Sequence, residues 1–210
     1  RYEHLPRIVD CRRAGEELDV VMEYVEGETL EALVGRLGAT PDYARELYPV
    51  LCEAVGELHA GFAAAGEPGV PVIHRDLKPS NIIVSGVRYA ADAGMTFSSL
   101  VIIDLGIACV WRDGADADTV KFGTRPYAPP EQFGFGQTSV RSDIYALGAL
   151  LFFCLTGTDP KPGRDIREQC EAHGIPVPLS DVICMAMALD PAKRFVSAKA
   201  LGNAARAAYE

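Results

Sequence analysis

The stretch HRDLKPSN, residues 74–81, decides how this 210-residue sequence is interpreted. It brings a carboxylate, a cation and an amide together in Asp76, Lys78 and Asn81, and a second acid, Asp104, follows the apolar residues 100–103. Phosphoryl transfer requires a carboxylate to take a hydroxyl proton, a lysine to hold phosphate, and oxygen ligands for Mg²⁺. The stretch therefore predicts a phosphoryl-transfer site built from these four side chains.

The composition predicts one globular domain. Hydrophobic residues make up 49% of the chain and charged residues 23%, which is typical of a protein that folds around a core. The net charge of −9 argues against a nucleic-acid partner, although a nucleotide site needs only local positive charge. The apolar runs are too short to cross a bilayer, so we expect a cytoplasmic domain, which is compatible with a membrane anchor elsewhere in a parent protein.

Periodicity predicts strands first and helices later. Two β-branched runs, at 7–11 and 18–22, flank a polar turn and predict an antiparallel hairpin. Thr40-Pro41 predicts a helix start, and Pro49 should kink that helix or shift its beginning. Residues 85–99 are expected to form an extended turn or loop. Residues 144–153 are apolar all round and predict a buried central helix, so the fold class is α+β, mostly α.

Further motifs follow HRDLKPSN in a fixed order. They are DLG at 104–106, GT at 123–124, PPE at 129–131, SDIYALG at 142–148 and DPAKRF at 190–195. This series resembles the large C-terminal lobe (C-lobe) of eukaryotic-type (Hanks) protein serine/threonine kinases, and its style resembles bacterial members. The resemblance covers nearly the whole chain. It implies a protein-kinase-like fold.

The resemblance also implies a division of the chain. Residues 1–25 would be a residual N-terminal lobe (N-lobe) hairpin and hinge, and 26–210 the C-lobe, with its catalytic loop at 74–81 and its activation segment at 104–131. The sequence has no G-x-G-x-x-G-x-V loop, no V-A-I-K strand and no αC helix, so we expect an incomplete N-lobe. A lone hairpin is marginal, so it should be disordered, displaced onto the C-lobe, or self-associated through its exposed edges.

The resemblance gives five residues roles in catalysis. Asp76 would orient the substrate hydroxyl and accept its proton, and Lys78 would contact the transferring phosphoryl group. Thr124 would link both to the loop that binds the substrate protein. Asn81 and Asp104 would hold Mg²⁺, or Mn²⁺ in its place.

The nucleotide implied by the resemblance is ATP. The segment 22–27 resembles the hinge, with Met22 at the gatekeeper position. Backbone groups of Glu23 and Val25 would bond the adenine edge, and Ile83 would pack below the ring.

Five further residues would be structural or regulatory by resemblance. Glu131 and Arg194 would form a buried ion pair, and Asp143 would hold the catalytic-loop backbone. Arg75 would pair with a phosphate on the activation segment, where Thr119 is the candidate phosphosite.

His59 and His173 have no partner in this pattern, so we expect ordinary helix or surface positions. His74 and Leu105 should pack rather than react.

Three functions remain open at this point. The chain could be a fragment of an active kinase that phosphorylates protein Ser/Thr, inactive by itself because half of the nucleotide clamp is absent. It could be a truncated or pseudokinase module that binds partners. It could be a small-molecule phosphotransferase of the choline or aminoglycoside kinase type, which Lys78, the PPE element, Asp143 and Arg194 argue against.

Overall fold

The computed structural model describes residues 2–15, 17–61, 69–90, 94–105, 108–110, 123–134 and 136–209. The helices are α1 Leu30–Leu37, α2 Tyr48–Ala60, α3 Val140–Thr156, α4 Ile166–Ala172, α5 Val177–Ala186 and α6 Ala198–Ala207. The strands are β1 Ile8–Ala14, β2 Glu17–Met22, β3 Glu28–Thr29, β4 Val72–Ile73, β5 Ile82–Ser85, β6 Arg88–Ala90, β7 Gly94–Thr96, β8 Ser99–Ile102 and β9 Cys109–Val110. A π-helical turn spans Tyr43–Leu47, and 3₁₀ turns span Pro79–Asn81, Pro130–Phe133 and Pro191–Lys193. None of the helices in these ranges is long and apolar enough to span a membrane.

Helix α3 is the centre of the core, which confirms the prediction from its apolar sequence. Most of its residues are buried, and α2, α5 and α6 pack against it. A capping box formed by Ser139 and Ser142 begins the helix, and Gly157 ends it in a left-handed conformation. The Tyr48 hydroxyl donates to the Leu147 carbonyl over 3.0 Å and joins α2 to this core helix.

Pro49 does not shift the start of the predicted helix: helical structure begins after Thr40 and passes through a π-helical turn into α2. The π-helical turn precedes the helix, and Pro49 lies in the first turn of α2. A proline further inside an α-helix would remove a hydrogen bond and clash with the carbonyl four residues earlier. Here the hydrogen-bond pattern changes just before Pro49, because the Tyr48 N–H donates to the Tyr43 carbonyl five residues earlier, so Pro49 follows a break in the regular α-helical pattern.

Short strands flank the predicted site, since the loop 74–81 lies between β4 and β5 and Asp104 follows β8. Strands β3, β5 and β8 make an antiparallel sheet in which Ile82 pairs with Ile102, and β4 pairs with β9. The expected loop at 85–99 is wrong in part, because β6 and β7 form a hairpin inside it. Met95 on β7 is buried and packs with the core, which holds this hairpin although its strands are too short to give a periodic signal.

The predicted N-terminal hairpin is present. Strands β1 and β2 are antiparallel, with Cys11 opposite Val20. Just before the hairpin, His4 accepts a hydrogen bond from Ile102 N–H at its carbonyl and contacts the Leu100 carbonyl through Nδ1, both at 2.9 Å. The expectation of disorder is therefore wrong, because strand pairing and this attachment to β8 order the segment. Ile8 and other apolar side chains of the hairpin are exposed.

Candidate active site

The catalytic loop is organised by local backbone geometry. Lys78 is extended, and Pro79 then begins a 3₁₀ turn in which Asn81 N–H donates to the Lys78 carbonyl over 3.0 Å. The turn directs the buried Asn81 side chain back to Asp76, where its amide donates to the carbonyl oxygen over 2.9 Å and to Oδ2 over 3.3 Å. Asp76 and Asn81 therefore lie side by side.

The carboxylate of Asp76 is the centre of a compact polar cluster. Lys78 Nζ lies 2.6 Å from Oδ2, and the Thr124 hydroxyl donates to Oδ1 over 2.9 Å. Lys78 Nζ also donates to the Thr124 hydroxyl over 3.3 Å. Side-chain exposure is 14% for Asp76 and 24% for Lys78, so the cluster is ordered by its contacts yet open to a substrate. The fold brings together all three side chains predicted to be catalytic.

Asp143, at the start of α3, binds the backbone of this loop through its carboxylate. Its buried carboxylate accepts hydrogen bonds from the N–H groups of His74 and Arg75, each over 2.9 Å. Arg75 has a positive φ of 69°, a conformation that residues with a side chain adopt rarely. The two N–H contacts to one buried carboxylate stabilise that conformation of Arg75, and the backbone of Arg75 in turn orients the next residue, Asp76.

His59 is a site residue that sequence reasoning missed. The expectation that it is an ordinary position is wrong, since its Nε2 lies 2.8 Å from Oδ2 of Asp143. Burial alone would raise the pKa of Asp143, but its hydrogen bond and electrostatic interaction with His59, with smaller effects from His74, hold that pKa below its usual value. No motif links positions 59 and 143, so the sequence contains no signal for this contact.

His74 packs as a neutral imidazole. Its Nδ1 accepts from Asp76 N–H over 3.3 Å, so the proton lies on Nε2, which donates to the Ile103 carbonyl over 3.3 Å. Burial lowers the pKa of this ring, although nearby carboxylates such as Asp143 oppose that effect. His74 therefore links the catalytic loop to the end of β8.

Asp104 lies next to this link. Ile103 N–H donates to the Asn81 carbonyl over 2.9 Å, and Asp104 follows with a positive φ of 65°. The chain thus places the Asn81 amide and the Asp104 carboxylate on adjoining segments. Both side chains carry hard oxygen atoms of the kind that suits Mg²⁺, and a site with two protein ligands would leave positions for water and phosphate oxygens, as this ion prefers.

Glu131 and Arg194 form a buried bidentate ion pair. The two contacts are 2.6 and 3.0 Å long, and each residue is only 3% exposed. Arg194 also donates to the carbonyls of Ala188, Leu189 and Arg141, while the Ser142 hydroxyl donates to Glu131 over 2.9 Å. The pair ties the 3₁₀ turn Pro130–Phe133, at the end of the predicted activation segment, to the segment that precedes α6.

The predicted hinge passes close to Ile83. Gly27 has a φ of 143°, and a Cβ there would lie 2.7 Å from Ile83 Cγ2 and 2.7 Å from the Val84 carbonyl oxygen. Only glycine permits this approach. Gly27 is a second residue whose importance sequence reasoning missed, and its place in the hinge-like segment was the available signal.

The hinge also contacts the N-terminal hairpin. Glu23 N–H donates to the Arg7 carbonyl over 2.9 Å, and the Glu23 carboxylate accepts from Arg7 N–H over 3.0 Å. Met22, which is 40% exposed, and Leu105 both line an apolar cavity of about 370 Å³, whose other lining residues come from the N-terminal segment up to Ile8. The predicted gatekeeper and the residue after Asp104 therefore share one cavity.

Comparison with known proteins identifies the family. A sequence model described as the protein kinase domain matches residues 1–201. The chain belongs to the protein kinase family. The match begins at the first residue and does not confirm our expectation of an incomplete N-lobe, which stays a prediction.

Three curated relatives are Mycobacterium tuberculosis serine/threonine-protein kinases. PknD is 32% identical over 95% of this chain, PknL 31% over 94%, and PknB 31% over 85%. The kinase chain spans 30% of PknD, 49% of PknL and 28% of PknB. By family, this is a protein serine/threonine kinase of bacterial type.

A solved structure shares the fold. The crystal structure of the M. tuberculosis PknI kinase domain matches with a TM-score of 0.69 at 20% identity, covering 99% of this chain and 73% of that chain.

One predicted regulatory residue of this kinase cannot be placed. Thr119 lies outside the described residues, as do the other residues of the stretches 106–107 and 111–122 within the activation segment. Arg75, its predicted partner, is described, and its carbonyl accepts from the Gln132 side chain over 2.8 Å. The backbone of Arg75 is thus bonded to both Asp143 and Gln132.

Proposed function

We propose that this kinase domain transfers the γ-phosphoryl group of ATP to Ser or Thr hydroxyls of proteins. The observation that carries the proposal is the cluster in which Lys78, Thr124 and Asn81 all contact Asp76. Catalysis in this reaction class rests on positioning and charge stabilisation, and a carboxylate so constrained is suited to orient one hydroxyl.

Each side chain of the cluster has a distinct task. Asp76 accepts the proton of the substrate hydroxyl as that oxygen attacks. Thr124 holds the carboxylate in position from the loop that receives the substrate, and Lys78 contributes positive charge beside the transferring group. Bound Mg²⁺–ATP supplies the phosphoryl group, and Asn81 and Asp104 would hold the ion.

The hinge is the proposed adenine site. We assign the adenine edge to backbone groups of Glu23 and Val25, the back of the pocket to Met22, and the apolar floor to Ile83. The close approach at Gly27 supports this assignment, because it keeps the hinge directly beside Ile83. Planar rings bind well between such apolar surfaces.

A transfer assay with mixed acceptors tests the proposed function. The parent kinase is incubated with labelled ATP, Mg²⁺, protein acceptors and small alcohols, and the labelled products are separated. We expect phosphoserine and phosphothreonine in protein. Label in small alcohols alone would support the small-molecule phosphotransferase, and no transfer at all would support a pseudokinase module.

The isolated 210-residue chain should behave differently from its parent. Its sequence contains no G-x-G-x-x-G-x-V loop and no V-A-I-K strand. We propose that the rate of phosphoryl transfer by the chain alone is lower than that of the parent by a factor of about 10² or more. Misplacement of the reacting groups has effects of that size. Equal rates for chain and parent in the same assay would contradict this.

Phosphorylation of Thr119 is the proposed activating event. We expect Thr119→Ala to lower the activity of the parent kinase, since phosphate on the activation segment would pair with Arg75. The measurement is initial rate before and after preincubation with ATP. Full activation of the variant would contradict the assignment, and Ser197→Ala, at the N-cap of α6, serves as a hydroxyl-loss control outside the segment.

Self-association through the hairpin is a further proposal. The exposed Ile8 and Val9 on β1 and Val21 on β2 support it, because an apolar two-stranded sheet gains stability by pairing. Sedimentation over a range of concentrations tests it. A monomer at all concentrations would contradict it.

A further inference from the structure

A basic groove lies next to the catalytic cluster on the helical side of the domain. It is a cavity of about 510 Å³, and its charged lining residues are Arg125, Lys161, Arg164, Asp165 and Arg167. The name basic groove is used below for this cavity. Its volume is in the range of sites that bind ligands or peptide side chains.

The groove is connected directly to the residues that would receive the acceptor hydroxyl. Arg125 follows Thr124, whose hydroxyl contacts Asp76. Two residues later, the Tyr127 hydroxyl donates to Asp159 and so joins this loop to the segment that carries Lys161. A chain bound with its hydroxyl at Asp76 therefore has the basic groove beside it.

The charge of the groove is opposite to that of the protein. The whole chain has a net charge of −9, yet the groove is lined by four basic side chains and one acidic side chain. Arg167 pairs with Asp181 over 2.8 Å, and the Asp165 carboxylate accepts N–H hydrogen bonds at the start of α4. Within the part of the chain that the structure describes, Arg125, Lys161 and Arg164 are exposed and form no ion pair.

The segment carrying two of these cations is held in shape by its backbone. The Gln169 side chain accepts from Lys161 N–H over 2.7 Å and donates to the carbonyls of Lys161 and Arg164 over 3.2 and 3.3 Å. These bonds fix the loop without using the charged side chains. Little ordering of the loop is then needed when an anion binds.

An apolar surface lies beside the charges. Met187, which is buried, and the partly buried Ile166 line the groove together with the largely exposed Leu189. A segment that carries both carboxylates and an apolar side chain would satisfy both kinds of surface. The chemistry of the lining therefore favours a peptide over a small ion.

We propose that the basic groove binds an acidic segment of the substrate protein and so selects acceptor hydroxyls with Asp or Glu residues near them. The proposal rests on the proposed function and adds the substrate class. Free cations next to an acceptor site attract a negatively charged chain and disfavour a basic one, which gives specificity through charge complementarity.

Peptide binding to the 210-residue chain tests this without phosphoryl transfer. A fluorescent Thr peptide flanked by Asp and Glu is compared with its Asn and Gln counterpart by anisotropy. We expect the acidic peptide to bind about tenfold more tightly at low salt and to lose that advantage near 1 M salt, because exposed charges are screened there. Equal affinities would overturn the proposal.

A charge-reversal variant locates the site. Lys161→Glu/Arg164→Glu should weaken binding of the acidic peptide about tenfold and leave the neutral peptide unchanged. The variant keeps the backbone bonds to Gln169, and a thermal melt checks its fold. Lys199→Glu/Arg206→Glu on α6 makes the same charge change outside the groove and should have no comparable effect. An equal effect of both variants would overturn the proposal.

A third peptide distinguishes binding of carboxylates by the basic groove from binding of phosphate groups. One Asp is replaced by phosphoserine, which also presents anionic oxygens. Binding of the phosphorylated peptide alone would overturn the carboxylate assignment. Absence of phosphoryl transfer by the parent kinase would refute the proposed function. The anisotropy measurement tests peptide binding separately, because it does not depend on phosphoryl transfer.

Discussion

Replacement of Asp76 by Asn will lower kcat of the parent kinase by about 10²- to 10⁴-fold, the range over which general acid–base groups act. Asn is nearly isosteric and retains an oxygen that can accept from the Thr124 hydroxyl. It lacks the basicity to take the substrate proton and the charge that pairs with Lys78 at 2.6 Å. The measurement is steady-state kinetics with a Ser/Thr peptide acceptor and Mg²⁺–ATP.

The same experiment distinguishes lost chemistry from lost structure. The melting temperature and the Kd for nucleotide should be nearly unchanged in the Asp76→Asn variant, because the backbone of the loop is held by Asp143. Asp42→Asn makes the same chemical change in the segment before α2 and should leave kcat unchanged. A normal kcat in Asp76→Asn would exclude Asp76 as the base.

Replacement of Glu131 by Ala will lower the free energy of unfolding by about 3–5 kcal/mol, the usual effect of removing one member of a buried ion pair. The guanidinium of Arg194 would remain in the interior, where it is 3% exposed. Its remaining hydrogen bonds go to backbone carbonyls, which are neutral, so the charge of Arg194 would have no counterion. Urea unfolding of the 210-residue chain gives the measurement.

A double variant and a surface control sharpen this test. Glu131→Met combined with Arg194→Met should recover part of the loss, because a buried ion pair can often be replaced by apolar side chains of similar volume. Glu53→Ala, at an exposed position of α2, should change stability by no more than about 0.5 kcal/mol. A loss below about 1 kcal/mol in Glu131→Ala would show that the pair is not an important source of stability.

Most of the regular structure follows from local pattern. The apolar run of α3 predicts a buried helix, and β-branched runs on either side of a polar turn predict the hairpin of β1 and β2. The hairpin of β6 and β7 was not predictable in this way, because its strands have three residues each. Its stability depends on the burial of Met95 by residues distant in sequence.

The catalytic cluster is an intermediate case. Asp76 and Asn81 are brought together by a single 3₁₀ turn, and a short motif can encode a turn. Thr124 comes from 48 residues further along and was assigned by resemblance to a family rather than by physical reasoning. Its hydrogen bond to Asp76 depends on how the last part of the predicted activation segment returns to the site.

By itself, the sequence determined which chemistry to expect, since the residue types and spacing in HRDLKPSN predict phosphoryl transfer, and the motifs that follow it predict the kinase family that the comparisons show. Only the tertiary structure decided which distant groups support and extend that chemistry. His59 contacts Asp143 across 84 residues of sequence, and the basic groove combines cations from the loop after Thr124 and from the segment before α4. Such contacts depend on the packing of whole helices, and no local spacing rule can encode the distance between two side chains on separate elements.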